Sequence, residues 1–333
     1  MTRQEKPIAI YYEHPDWFRP LFAELDRRGL PYVRLEASRH HYDVSTGESQ
    51  YALLFNRMSA SAYLRGHGNA VFYTRNYLAH LERWGVRVIN GPAAYAVEIS
   101  KALQLSLLDS LGLPFPRACV VNSAPEIPLV ARDLRFPVVV KPNIGGRGAG
   151  IVRYDTPEAM RRAAEAGLID LGIDSTALVQ EFIPARGGHI TRIETLGGKF
   201  LYAIKVFTTG ESFNLCPAEI CQTEDGVSAA GEMCLADAPK QGLKVEAYEP
   251  PAEVIEAVER IAAAASLDVG GIEYIVDDRD GSLMYYDINA LSNFVADAPR
   301  IIGFDPHERL VNYLEQEAHR CATDIGSRFS AAG

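Results

Sequence analysis

The stretch Val138-Val139-Val140-Lys141-Pro142-Asn143-Ile144-Gly145-Gly146-Arg147-Gly148-Ala149-Gly150 decides how the rest of the chain is read. A β-branched run delivers a lysine at its end, directly before a loop in which Gly145, Gly146, Gly148 and Gly150 leave room for little but backbone. Such a loop lets main-chain N–H groups approach a phosphate closely, and the lysine adds positive charge. The spacing is neither that of a P-loop, since no Gly-Lys-Ser/Thr follows, nor G-x-G-x-x-G. A flexible turn between strands is the alternative reading.

Further along, Gly271-Ile272-Glu273-Tyr274-Ile275-Val276 and Met284-Tyr285-Tyr286-Asp287-Ile288-Asn289-Ala290 read as two strands joined by the turn Asp278-Arg279-Asp280-Gly281. Strand residues two apart share a face, about 6–7 Å along the strand. Asp287 and Asn289 therefore point together, and Glu273 sits on the neighbouring strand. Three oxygen-bearing side chains on one face of an apolar strand pair are costly unless something satisfies them. Hard cations take such oxygens, and Mg²⁺ uses one or two carboxylates with nucleotide phosphates. The alternative is a solvated face of an edge hairpin. A third piece, Leu178-Val179-Gln180-Glu181-Phe182-Ile183-Pro184, runs from a strand into a proline stop. It can offer backbone groups to the edge of a base, or be core followed by a linker.

Outward from these pieces the chain alternates strand and helix at first. Strands are predicted at 8–12, 32–36, 52–55 and 86–89. One helix carries Trp17, Leu21, Phe22 and Leu25 and closes at Gly29; another spans Asn69 to Trp84 and closes at Gly85. This implies a parallel sheet covered on both faces, a first α/β domain over 1–95. A helix near Ile99 to Leu111 opens the second region, 96–320. That region divides into a small α+β lobe over about 110–185 and a larger antiparallel lobe over about 186–320. Gly197-Gly198 between two strand patterns is a two-residue hairpin signal. A helix near Glu308 to Leu314 comes late, and the small residues after Ala322 read as a loose tail.

Composition narrows the function. At 47% hydrophobic and 23% charged the chain is an ordinary folded protein. A net charge of -10 argues against nucleic acid as the main partner, because phosphate backbones call for a positive surface. No apolar run is long enough to span a bilayer, and the polar N-terminus lacks a signal-peptide core. Five scattered cysteines then favour reduced thiols and a cytoplasmic location.

Together these residues resemble the ATP-grasp superfamily, and within it the RimK-type branch of glutamate-ligase-like, glutathione-synthetase-like enzymes, over roughly residues 50–320. The order carries the resemblance: a lysine-bearing helix, a lysine before a glycine loop, a Gln-Glu-Phe-Ile hinge, an arginine-bearing hairpin, then Glu273 and the acidic-x-Asn of Asp287 and Asn289. The resemblance implies α/β and α+β architecture: an N-terminal Rossmann-like domain, then two α+β lobes that sandwich ATP. It places Lys101 and Lys141 on the nucleotide phosphates and the loop Gly145, Gly146, Gly148, Gly150 over them as a flap. Glu181, Phe182 and Ile183 become adenine contacts, the last two through backbone, and His189 stands at the ribose position. Glu273, Asp287 and Asn289 become ligands for Mg²⁺, with Mn²⁺ as a substitute. Arg192 and Lys205 become the catalytic cations, holding the γ-phosphate or a substrate carboxylate. Asn214 falls near the acceptor, and Arg57, just past a strand of the first domain, meets the acid substrate.

The implied reaction joins a carboxylate to an amine through an acylphosphate, releasing ADP and phosphate. Its partners are small-molecule acid and amine substrates or a peptide acceptor, and homodimers are common among relatives. A metabolite kinase and a non-catalytic nucleotide-binding regulator are the alternatives. Two departures stand out. Family members usually show Glu-x-Asn followed by Ser-Pro-Gly, whereas this chain has Asp287-Ile288-Asn289-Ala290-Leu291-Ser292-Asn293. Asp for Glu shortens the reach to a metal by one methylene, and the loop that frames the acceptor lacks its Pro-Gly.

Overall fold

The computed structural model describes residues 6–14, 16–45, 50–146, 148–207 and 244–330. The first elements are β1 (Ile8–Tyr12), α1 (Arg19–Arg28), β2 (Tyr32–Glu36), β3 (Leu53–Arg57), α2 (Gly68–Arg83) and β4 (Val88–Ile89). Their strands form a parallel sheet in the order β2-β1-β3-β4. The run Ile8-Ala9-Ile10-Tyr11 is apolar without alternation because both faces are covered. Ile8 and Ile10 pack with Phe22 and Leu25 of α1, and Ala9 and Tyr11 with Val71 and Leu78 of α2. Gly29 caps α1 with φ of +64°, as its place in the sequence predicts. The strand order reverses between β1 and β3, so the crevice at their carboxyl ends, beside Arg57, is where such sheets receive ligands.

The expected helix near 99–111 is α4 (Lys101–Ser110), and a shorter helix not expected from the sequence, α3 (Pro92–Glu98), precedes it. Ser100 separates them, its hydroxyl accepting from the Leu103 N–H at 3.2 Å. This N-cap puts Lys101 in the first turn of a fresh helix.

The small lobe contains β5 (Ala118–Val121), α5 (Ile127–Val130), β6 (Val138–Pro142), β7 (Val152–Tyr154), α6 (Pro157–Glu165) and β8 (Ala177–Glu181). Its antiparallel sheet runs β5-β8-β6-β7. Val138, Val140 and Val179 pack with Ile127 and Met160 beneath the sheet. Alternation sends Lys141 to the other face, opposite Leu178.

The larger lobe contains β9 (His189–Leu196), β10 (Lys199–Phe207), β11 (Val245–Tyr248), α7 (Ala252–Ala264), β12 (Val269–Val276), β13 (Leu283–Asn289), α8 (Ala298–Ile302) and α9 (Pro306–Ser330). Its antiparallel sheet runs β11-β10-β9-β12-β13. Gly197 and Gly198 take φ of +59° and +71°, the tight hairpin expected there. One sheet face shares a core with the N-terminal domain, joining Ile190, Ile204 and Val206 to Ile10, Phe55 and the α9 residues Leu310 and Val311. The opposite face joins Ile193, Ala203 and Ile272 to Val258 and Ile261 of α7. The outer edge of β13 is covered: Gln104 of α4 donates to the Ile288 carbonyl at 2.9 Å and accepts its N–H at 3.2 Å. Residues 323–330, expected as the start of a loose tail, continue α9. Among the described residues, no helix is long and apolar enough to cross a membrane.

Candidate functional site

Strand register builds the centre of the site. Arg192 on β9 lies opposite Glu273 on β12, and Glu273 lies opposite Asp287 on β13. Cross-strand partners share a face, so the three charges form one row, with Asn289 beside it. Arg192 Nη1 donates to Glu273 Oε1 at 2.7 Å, and its Nε donates to Glu194 Oε1 at 2.6 Å. Asn289 Nδ2 lies 3.1 Å from Asp287 Oδ2 and 3.4 Å from Glu273 Oε1. The row needs Gly271: a Cβ there would sit 2.6 Å from Arg192 Nη2, so a side chain would drive the guanidinium out.

A bulge completes the cluster. The pairing jumps from Glu273–Asp287 to Tyr274–Tyr285, which leaves Tyr286 as the extra residue. Its hydroxyl turns back to donate to Glu273 Oε2 at 2.7 Å. Sequence reading missed Tyr286 because strict alternation sends it to the opposite face.

Two lysines close over the row. Lys101 Nζ donates to Asp287 Oδ1. Burial works against the charge on Asp287, but Lys101, Lys141 and the Asn289 amide outweigh it and hold the carboxyl below the ordinary aspartate range. Burial likewise opposes the Lys101 charge, and Asp287 outweighs it and holds the ammonium above the usual lysine value. Glu273 is different: burial, aided by Asp287, raises its carboxyl above the normal range despite Arg192. The donor set of two carboxylates and an amide oxygen suits a hard cation whose remaining ligands are phosphate and water. Arg192 and Lys101 balance the two negative charges of the row.

The loop after β6 is tied to the same place. Asn143 Oδ1 accepts from the Ala102 N–H at 2.9 Å and the Ser100 hydroxyl at 3.1 Å. Asn143 thus fixes the first turn of α4 to the strand that carries Lys141. Gly150 has φ of +72°, and a Cβ there would stand 2.9 Å from Pro142 Cγ. Gly146 approaches the first domain, where a Cβ would stand 3.2 Å from Ser61 Cβ. The expected flap therefore lies between the small lobe and the N-terminal domain.

The other expected residues fall in different surroundings. Glu181 is buried, and its Oε1 accepts from the Arg135 N–H at 3.0 Å. The Phe182 N–H donates to the Pro137 carbonyl at 2.9 Å, so that donor is already engaged within the lobe, while Ile183 follows at the hinge. Lys205 pairs with Thr191, not Arg192, and therefore points to the opposite sheet face, where its Nζ lies 4.3 Å from the Tyr248 ring centre. His189 is on that same opposite face, its ring 5.1 Å from Phe207. Arg57 is 3% exposed and donates to the Ser292 carbonyl and to Asn293 Oδ1. Asn214 lies outside the described residues.

Comparison with known proteins agrees with this geometry. No family model matches the chain. A "Probable alpha-L-glutamate ligase" of Teredinibacter turnerae is 32% identical over 135 residues, 40% of this chain and 44% of that protein. A protein of the same name from Pseudomonas putida is 30% identical over 203 residues, 60% of this chain and 66% of its own length. The matched segments thus span about half to two thirds of these relatives. The structure of ATP-grasp ligase PsnB complexed with a phosphomimetic variant of its minimal precursor, Mg and ADP superposes with a TM-score of 0.64 at 19% identity. That superposition covers 94% of this chain and 99% of the other. The chain has the ATP-grasp fold. The residues that carried the resemblance, from Lys101 to Asn289, lie on α4, in or beside the β5-β8-β6-β7 sheet, and in the five-stranded sheet.

Proposed function

We propose that this chain is an ATP-dependent, ADP-forming carboxylate–amine ligase, acting through an acylphosphate on an amino-acid-like or peptide substrate. The observation that carries the reading is the row Arg192–Glu273–Asp287 with Lys101 bonded to it and Lys141 close enough to act on Asp287. ATP is the phosphoryl donor, with its adenine against the 181–183 hinge. Glu273, Asp287 and Asn289 would hold Mg²⁺ or Mn²⁺, which when bound supplies charge neutralisation at the transferring phosphoryl group.

The chain's own groups then meet the demands of the reaction. A carboxylate must approach a polyphosphate, and Lys101, Lys141 and Arg192 lower the repulsion between the two anions. The glycine loop from Gly145 to Gly150 shields the acylphosphate from water until the amine attacks. Lys205 and His189 face the other side of the sheet, away from the row, and carry no part of this reading. The names of the glutamate-ligase relatives and the Mg and ADP in the PsnB structure support this reading. A free thiol at Cys119 fits a reducing cytoplasm.

The test is release of ADP and phosphate from Mg-ATP against pooled carboxylic acids crossed with pooled amines, with mass spectrometry of the products. Release that needs one acid pool and one amine pool, with a product one water lighter than their sum, is the expected result. Release with a single pool and a phosphorylated product would replace the ligase reading with a kinase.

A further inference from the structure

The loop that follows β13 is held from three directions, all outside the larger lobe's sheet. Asn90, just after β4, donates to the Ala290 carbonyl at 2.7 Å. Glu98, at the end of α3, accepts the Ala290 N–H at 2.6 Å and the Leu291 N–H at 3.2 Å. Arg57, at the end of β3, donates to the Ser292 carbonyl, to Asn293 Oδ1 at 3.1 Å and to the Ala290 carbonyl at 3.5 Å. Its guanidinium lies near the rings of Phe18 and Phe55, 5.2 and 5.0 Å from their centres. The arginine is embedded under the loop rather than presented to a ligand.

Ser292 carries the connection onward. It is 1% exposed, and while its carbonyl accepts from Arg57, its hydroxyl lies 3.2 Å from Arg192 Nη2. Arg192 in turn spans Glu194 on one side and Glu273 on the other. We propose that Arg57 is a positioning residue for the metal site: it fixes Ser292, and the Ser292 hydroxyl is the acceptor that keeps Arg192 in place when a cation takes Glu273.

The chemistry of the row explains why such a link is needed. A cation on Glu273 competes with Arg192 for the same carboxylate. The guanidinium then needs another acceptor that keeps it in place, and the Ser292 hydroxyl is that acceptor. Without it, Arg192 keeps its bond to Glu194 but loses the contact that ties it to the loop. The loop 290–293 has no Pro-Gly of its own to set its course, so Arg57, Asn90 and Glu98 set it from outside. The proposal rests on the Mg-ATP reading of the site and assigns Arg57 a role other than holding the acid substrate.

The test uses the full chain and Mn²⁺ as the probe, titrated by electron paramagnetic resonance with β,γ-imido-ATP present. Parent, Ser292→Ala, Arg57→Lys and the double variant are compared, with thermal midpoints measured alongside. Each single change is expected to weaken Mn²⁺ binding about 3–10-fold and to alter the bound-Mn²⁺ line shape. The double variant should lose no more than the weaker single, because both changes cut one chain of contacts. Parent-like Mn²⁺ affinity in Ser292→Ala overturns the proposal, as do losses that multiply or variants that lower only the thermal midpoint. Ser292→Ala removes a single hydroxyl and decides the matter even if Arg57→Lys does not fold. A parent chain that binds no Mn²⁺ with the nucleotide defeats the site reading itself, a different failure from a parent that binds and variants that do not respond.

Discussion

Along β9, Arg192 and Glu194 go to one side of the sheet, and Thr191 and Ile193 to the other. The first side continues across the strands as Glu273, Asp287 and Asn289. The second continues as Tyr274 and Tyr285, with Lys205 and His189 towards the far strands. The first face carries the charged row beside the apolar Ile190, Ile204 and Val206 that meet the N-terminal domain, whereas the second carries Tyr274, Tyr285 and the aliphatic residues that meet α7. Buried charge is tolerated on the first face because every member has a partner of opposite sign or a hydrogen bond. The lesson is that neighbours in sequence are not neighbours in chemistry: Arg192 and Lys205 sit on one hairpin and serve opposite sides.

The strongest way to break this comparison is to empty the charged face at its centre. Asp287→Ala removes a cation ligand and leaves Lys101 without its bonded partner. Turnover of Mg-ATP is expected to fall about 10²–10³-fold, as when a group that stabilises transition-state charge is lost. The matching change on the other face, Tyr285→Phe, should leave turnover near the parent value. Steady-state ADP release from both variants checks this; equal losses would show that the faces do not divide the work.

A smaller but more pointed effect is expected from Gly271→Ala. The three atoms nearest the added methyl all belong to the Arg192 guanidinium. Overpacking of this kind costs about 1–3 kcal/mol, and here turnover should fall along with stability, about 10-fold or more. Denaturant unfolding and ADP release on the same sample separate the two. A stable variant with full activity would mean that Arg192 has room to spare and that its position is not set by the glycine.

Lys205→Ala sharpens the comparison from the other side. Lys205 contacts Tyr248 and not the carboxylate row. The Mg²⁺ concentration for half-maximal turnover should stay within about threefold of the parent, whatever happens to the ATP requirement, since only interactions at the metal would move it. A large shift in metal requirement would place Lys205 in contact with the charged face through the bound nucleotide.

These differences also mark what could be read from residue order alone. The first strands, the glycine closures at Gly29 and Gly85 and the Gly197-Gly198 hairpin were legible because all are local signals. That Asp287 and Asn289 share a face was legible because period two in a strand needs no tertiary knowledge. The short helix α3 was missed, although Pro92 directly after Gly91 is a recognisable helix start. Tyr286 and the split between Arg192 and Lys205 were not legible, because a bulge and a strand register depend on pairing partners far along the chain. Ser292 and Arg57 lie 235 positions apart, and no local pattern announces their contact.

The smallest expected effect tests whether the second face is electrically separate. Burial lowers the His189 pKa below the ordinary histidine value, with the nearby Lys205 charge adding to the depression and the Gly187 carbonyl and Glu246 opposing it. The neutral ring is therefore the form favoured in the folded chain. The unfolded chain binds the proton more readily, so stability falls as pH drops below the unfolded value of about 6.5 and continues to fall until the folded ring titrates. Lys205→Ala removes one depressing charge and not the burial, so the titration midpoint should rise yet stay below the ordinary value. Heteronuclear NMR of the His189 ring across the acid range reads this directly. Asp287→Ala, on the opposite face, should leave the same midpoint where it was. If instead Asp287→Ala moves His189 and Lys205→Ala does not, charge crosses the sheet and the two faces act as one site.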